Sequence, residues 1–191
     1  MPSIAPDVAD ANRLFSLPDP TTRPHDLYVQ DNGRFVRATN PDEILMFVDG
    51  SCLSNGYSNA RAGYGVVFGP LDQFSGRLEQ DRNPQTSGRA ELRAVLASLT
   101  LRPWAREGVS RIVLACDSEC VVKGITEWIF KWRTNKWRRV ANQDLWKKLE
   151  EELREMERRG ILVQFWKIPR DWNEADKYAK AGAVIIFFIY L

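Results

Sequence analysis

Four acidic residues of this chain, Asp49, Glu91, Asp117 and Asp176, each stand at the edge of a different apolar segment. Asp49 closes the run Ile44-Leu45-Met46-Phe47-Val48, and Asp117 closes Ile112-Val113-Leu114-Ala115-Cys116. Both runs are short, rich in β-branched and large apolar side chains and bounded by polar residues, so they read as buried strands that end at an acid. A carboxylate at a strand end escapes full desolvation while a rigid element fixes it. Glu91 precedes apolar residues at 92, 95, 96 and 99, and Asp176 lies in a similar run at 175, 178, 179 and 183, which is helical spacing. Any one of these acids, taken alone, is more simply a turn residue or a helix cap. Together, two strands and two helices could bring four carboxylates to one point. Repulsion among them is tolerable only if cations neutralise it, and an all-oxygen site suits Mg²⁺ or Mn²⁺.

The elements that must position these acids follow from the same periodicities. Strands are expected at about 44–50, 62–69 and 73–80, a helix at 89–100, a strand at 111–116, helices at 118–132 and 142–159, a strand at 161–168 and a last helix at 173–183. Gly63, Gly65, Gly69 and Gly76 punctuate the first three strands, as in an antiparallel meander. Strands alternating with helices thereafter imply parallel pairing, so the fold class is α/β with a mixed sheet. Residues 1–43, with Pro18, Pro20 and Pro24 clustered, read as an extended arm. Residues 44–183 form the expected domain. Residues 184–191 are a continuous apolar tail, too short for the roughly 20 residues that cross a bilayer. The tail is a segment packed on the body, an interaction segment or a gene-model artefact, and no membrane partner is expected.

Composition narrows the class further. The 191 residues, 44% hydrophobic, suffice for one domain with a real core. A net charge of +2 says little about partners, but its distribution says more. Lys131 to Arg139 holds five basic residues and no acid, interleaved with Trp132 and Trp137, a surface suited to phosphates and to sugar or base packing. Trp128, one turn before Trp132, is expected in the core. Three cysteines argue against a disulfide framework and for an intracellular, reducing compartment such as nucleus, cytoplasm or mitochondrion. Cys116 and Cys120 read as small core residues, and a single histidine, His25, argues against a zinc site.

The wording around the four acids is more specific than their spacing. Asp49-Gly50-Ser51-Cys52 with Asn55-Gly56, then Ala62-Gly63-Tyr64-Gly65, Gln85-Thr86-Ser87-Gly88-Arg89-Ala90-Glu91-Leu92, Asp117-Ser118 and Asn173-Glu174-Ala175-Asp176 resemble the motifs of ribonuclease H, type 1, and most of all its fungal members. The resemblance runs from about Ile44 to Ala183 in the family's order. It implies a five-stranded mixed sheet flanked by helices. It also implies an endonuclease that hydrolyses the RNA strand of RNA–DNA hybrids with two Mg²⁺ ions, or Mn²⁺ as a substitute, leaving 3′-hydroxyl and 5′-phosphate ends. By the same resemblance Asp49 bridges both ions, Glu91 and Asp117 bind the one near the leaving group, and Asp176 the one that activates water. A monomer is expected.

Further site residues follow from the resemblance. Cys52, Asn55, Ser87 and Gly88 would meet the minor groove, where the 2′-hydroxyl marks RNA. The family usually carries amide side chains at the positions of Ser87 and Gly88. Thr86 and Asn135 match a pocket for a DNA phosphate, although Pro84 stands where an arginine is common; Arg82 could reach in. Trp132, Lys136, Trp137, Arg138 and Arg139 resemble the basic protrusion that grips the DNA strand. Glu119 replaces a frequent glutamine. The segment Ile168-Pro169-Arg170-Asp171-Trp172-Asn173 is shorter than the family's mobile loop and lacks its histidine, leaving Arg170 to contact the scissile phosphate or the leaving product. These departures keep open a second reading, a catalytically weak or inactive hybrid-binding or interaction domain that retains the fold. A third is a domain detached from a retroelement reverse transcriptase.

Overall fold

The computed structural model describes residues 12–184, so the apolar tail from residue 185 onward lies outside the described residues. Its centre is a mixed sheet with strands β1 (Tyr28–Asp31), β2 (Arg34–Arg37), β3 (Asn40–Leu53), β4 (Arg61–Val67), β5 (Gln73–Arg77), β6 (Arg111–Cys116) and β7 (Leu162–Lys167). Helices α1 (Pro24–Leu27), α2 (Ser87–Thr100), α3 (Glu119–Lys123), α4 (Ile129–Thr134), α5 (Gln143–Arg158) and α6 (Asp176–Val184) complete it. The five expected strands are all present, and β3 to β5 form the antiparallel meander. Two further strands make the sheet seven-stranded. They come from the segment read as an extended arm, which instead forms α1 and the β1–β2 hairpin. The hairpin pairs with the first half of β3, ahead of the stretch that pairs with β4.

Strand β3 is also flanked on its other side by β6, in parallel, with Phe47 opposite Ala115, and β6 pairs in parallel with β7. Side chains of β3 and β6 alternate between two buried faces, which is why both read as unbroken apolar runs rather than as alternating ones. Ile44, Met46, Val48, Ile112 and Leu114 join the main core under α2 and α5, with Leu92, Val95, Leu96 and Leu99 of α2 and Trp146, Leu149, Leu153 and Met156 of α5. Leu45, Phe47, Val113 and Ala115 face a second cluster. That cluster is closed by Ala175 and Tyr178 at the α6 end and by Phe15, Leu17, Leu27, Tyr28 and Phe35 from the N-terminal segment.

Glycines read as strand punctuation have a packing role as well. A Cβ on Gly63 would lie 2.0 Å from the Ala183 nitrogen, and one on Gly65 2.6 Å from the Ala179 nitrogen, so α6 rests backbone to backbone on β4. The helix expected over 118–132 is broken by a π segment, Gly124–Trp128, between α3 and α4. At Gly124 the Trp146 ring comes so close that any Cβ would lie 2.3 Å from it. Cys120, expected in the core, is exposed in α3, whereas Cys116 is buried.

Candidate active site

The parallel register does the first part of the assembly. Continued two residues past the Phe47–Ala115 pair, it sets Asp49, still within β3, beside Asp117, which directly follows the carboxyl end of β6. The expected strand end at Asp49 is thus overrun, because β3 goes on to Leu53 in its pairing with β4. Ligands of open α/β sheets collect at such ends. Glu91 reaches the same place because Gly50 lets α2 touch β3: a Cβ there would sit 2.1 Å from the Glu91 nitrogen. Thr86 caps α2 by accepting a hydrogen bond from the Arg89 nitrogen at 3.3 Å. Asp176 arrives on the first residue of α6, after the short 3₁₀ turn Arg170–Trp172.

Asp49, Glu91, Asp117 and Ser118 line one cleft of about 330 Å³ together with Ser51, Cys52, Asn55, Ser87 and Arg170. Burial first, then the charge of Asp117, pushes the Asp49 carboxyl up to about 7, and the charges of Asp176 and Glu91 add to it. Burial likewise raises Glu91, against the pull of a 2.6 Å hydrogen bond from the Ser118 hydroxyl. Asp176 is held below the usual carboxylate range by Lys180, whose Nζ is 2.5 Å away, and by Arg170 at 3.1 Å. Arg170 is thus the cation of the cleft, and Asp117 and Asp49 also strengthen its positive charge. Among the described residues no three acids stand together as a ready-made ion site; Ser118 bonds Glu91, Asn173 bonds Asp117, and Arg170 and Lys180 bond Asp176.

Asn173 is a site residue that sequence reasoning quoted within a motif but gave no role. Its buried amide donates to Asp117 Oδ1 at 2.8 Å and to the Val48 carbonyl at 3.0 Å, and its Oδ1 accepts from the Ala175 nitrogen at 3.1 Å. One side chain therefore ties the start of α6 to the interior of β3 and to the residue that follows β6. Arg89 is a second omission: buried at the start of α2, it forms a two-pronged pair with Asp144 of α5 at 2.9 and 2.8 Å. An asparagine among turn residues and a charge in a mixed helix give no sequence signal of burial.

The other expected contacts stand outside the cleft lining. Gly88 is open, with only Asn142 near the position of a Cβ, at 3.7 Å. Trp132 and Trp137 are half-buried and packed on the main core, Trp132 lying 5.0 Å from Trp146 between ring centroids. Trp128, expected in the core, is instead 38% exposed. Asn135, Lys136, Arg138 and Arg139 form an exposed turn after α4, with Lys136, Trp137 and Arg139 at positive φ; Arg133 is tied to Glu150 at 2.6 Å. Glu119 is exposed and paired with Lys123. A roomier depression of about 630 Å³ runs along α5, far in sequence from these groups and lined by mixed charges such as Glu150 and Arg154, which pair with each other.

Relatives carry the same domain. Ribonuclease H1 of Rattus norvegicus is 32% identical over 149 residues, 74% of this chain and 50% of that protein. Ribonuclease H of Actinobacillus succinogenes is 36% identical over 146 residues, 74% of this chain and 90% of that protein. The chain thus spans about half the length of its mammalian relatives and most of that of its bacterial ones. Among solved structures, LC11-RNase H1 in complex with an RNA/DNA hybrid shares the fold at a TM-score of 0.50 and 20% identity, covering 73% of this chain and 95% of that one. The family model described as RNase H matches residues 41–184, which include all four acids, all but the first residue of β3 and every element from β4 to α6, and the chain belongs to that family.

Proposed function

We infer that the protein is a metal-dependent endonuclease that hydrolyses the RNA strand of RNA–DNA hybrids, leaving 3′-hydroxyl and 5′-phosphate ends. The observation that carries this reading is the convergence of Asp49, Glu91 and Asp117 on one cleft, with Asp176 close enough to raise Asp49. Family membership and the hybrid bound to LC11-RNase H1 support the substrate class. The donor set fits hard divalent cations: it is all oxygen, and burial together with the neighbouring acids, which raise Asp49, sets a cost of charge that such ions neutralise. Mg²⁺, with Mn²⁺ as substitute, would be held by Asp49, Glu91, Asp117 and Asp176. Two such ions supply an activated water and charge neutralisation at the attacked phosphate and the departing oxygen.

The chain's own groups do the rest. Asn173 keeps Asp117 oriented and Ser118 keeps Glu91 oriented. Arg170, on the cleft rim and largely exposed, can exchange its carboxylate partner for a substrate phosphate oxygen, a planar donor suited to either. Cys52, Asn55 and Ser87 line the cleft beside the acids, where groups that sense a 2′-hydroxyl are needed. The exposed basic turn at Lys136, Arg138 and Arg139 would attract the duplex electrostatically. Digestion of an end-labelled hybrid with and without EDTA is the test. Mg²⁺-dependent cleavage confined to the RNA strand is expected. A folded protein that binds hybrid without cutting it would favour the inactive-domain reading instead.

A further inference from the structure

The family match begins at residue 41, yet residues ahead of it touch the segment that delivers the fourth acid. The Arg23 guanidinium lies 5.6 Å from the centre of the Trp172 ring. His25, the one histidine of the chain, donates from Nε2 to Glu174 Oε1 at 2.5 Å, and its ring packs 5.4 Å from Phe35 and 6.1 Å from Phe47. Leu27 shares an apolar cluster with Trp172 and Tyr178. Three residues of α1 and its cap thus flank the segment from Trp172 to Tyr178, within which Asp176 lies.

Their own footing is firm. Arg23 caps α1, with its backbone nitrogen donating to Asp26 at 2.7 Å. Upstream, Phe15 and Phe165 are linked by a backbone hydrogen bond of 2.9 Å, and Phe165 donates in turn to Arg13 at 2.7 Å. Downstream, Tyr28 and Phe35 are buried in the second cluster, and the Tyr28 hydroxyl donates to buried Glu43 at 2.6 Å. A segment anchored at both ends can hold its neighbour still. The neighbour needs holding: the Arg170–Trp172 turn is short and exposed at Arg170 and Asp171, and its side-chain hold on the sheet runs through Asn173.

We propose that Arg23 and His25 are positioning residues for catalysis, clamping Trp172 and Glu174 so that Arg170 and Asp176 face the other three carboxylates. The clamp makes the N-terminal segment a working part of the catalytic domain. The importance of Asp176 rests on the proposed function; the clamp itself does not.

The test uses the full chain as wild type, Arg23→Ala/His25→Ala and His25→Gln. Amide exchange of Trp172, Asn173 and Asp176, which hydrogen-bond to the Pro169, Arg170 and Asn173 carbonyls, reports the clamp without metal or substrate. About tenfold faster exchange at these amides is expected in the double variant, with β6 amides unchanged. Mn²⁺ affinity by calorimetry should weaken by about tenfold, as when a group that orients a metal ligand is lost. His25→Gln, which keeps a donor, should stay near wild type in both. Wild-type exchange at the three amides in a folded double variant would overturn the proposal, as would equal acceleration throughout β6, which marks a general stabiliser. If the double variant does not fold, His25→Ala carries the same readouts, since that side chain is more than half exposed. A wild type that takes up no Mn²⁺ counts against the proposed function, while the exchange result still decides the clamp.

Discussion

Asp49 is the one buried residue among the four acids. Its carboxyl is pushed by burial and by its acidic neighbours to about 7 in the fold, against 3.8 for a freely exposed aspartate, so the folded state binds its proton more tightly than the unfolded chain does. In metal-free protein this group therefore costs no stability at low pH, and the cost grows as pH rises from about 4 to about 7, reaching of order 4 kcal/mol at its upper bound. Asp49→Asn removes that cost. Thermal melts in EDTA at pH 8 should show the variant more stable than wild type, with the difference shrinking towards pH 4. The same variant should lose hybrid cleavage, because an amide supplies neither the charge nor the ligand strength of a carboxylate that would hold a divalent ion. Substantial Mg²⁺-dependent activity in Asp49→Asn would remove it from the site. Arg170 makes a separate case, since it lines the cleft and pairs with Asp176 while staying largely exposed. Arg170→Ala should slow multiple turnover more than single turnover on one hybrid, because releasing the product calls on a cation that the first cleavage depends on less. Equal effects on both rates would sink that division.

Elements position these side chains through close backbone contact, and the contact is testable. At Gly50 a methyl group would collide with the α2 backbone at Glu91, and backbone cannot swing aside as a flexible side chain can. Gly50→Ala should cost about 1–3 kcal/mol or more and lower cleavage beyond what the lost stability explains, since the shift falls between two of the acids. Urea melts alongside cleavage assays on the folded fraction would show it; a neutral substitution would mean that α2 slides freely on β3. The turn after α4 is a second element with a measurable task. Charge reversal at Lys136, Arg138 and Arg139 should weaken hybrid binding and flatten the dependence of log affinity on log salt, because fewer counterions are released. Cleavage at saturating hybrid should change much less, as none of the three lines the cleft. An unaltered salt slope would leave the turn as solvated surface.

On the scale of the whole molecule, the two larger apolar clusters among the described residues lie on opposite faces of one sheet, and the second depends on residues ahead of the family match. Phe35 is the clearest probe: it is buried, meets Phe47 edge to face at 5.9 Å and belongs to the β1–β2 hairpin. Phe35→Ala should lower stability by about 3–5 kcal/mol, read as a fall in urea midpoint with little change in slope. A loss below about 1 kcal/mol would mean that the N-terminal segment is laid loosely on the sheet.

The four acids, the alternation of strands and helices and the mixed sheet were legible in the sequence because each is a local pattern: an apolar run that stops at a carboxylate, a helical spacing, a glycine between strands. The boundaries of α2 and α5 fell within about two residues of their periodic patterns for the same reason. What the sequence could not carry were pairings between distant residues. The N-terminal segment read as an arm because prolines and short polar stretches have no period, and only the free edge along the first half of β3 turned residues 28–37 into strands. Trp128 and Cys120 had core-like types, yet the surfaces of α3 and of the π segment decided their exposure. Asn173 and Arg89 gave no sign of burial, since a polar side chain is buried only where partners far along the chain satisfy it. Local chemistry thus set the acids and the elements that bear them. Tertiary packing decided how they meet, because register, backbone contact and hydrogen-bond satisfaction are properties of pairs that no single stretch of sequence contains.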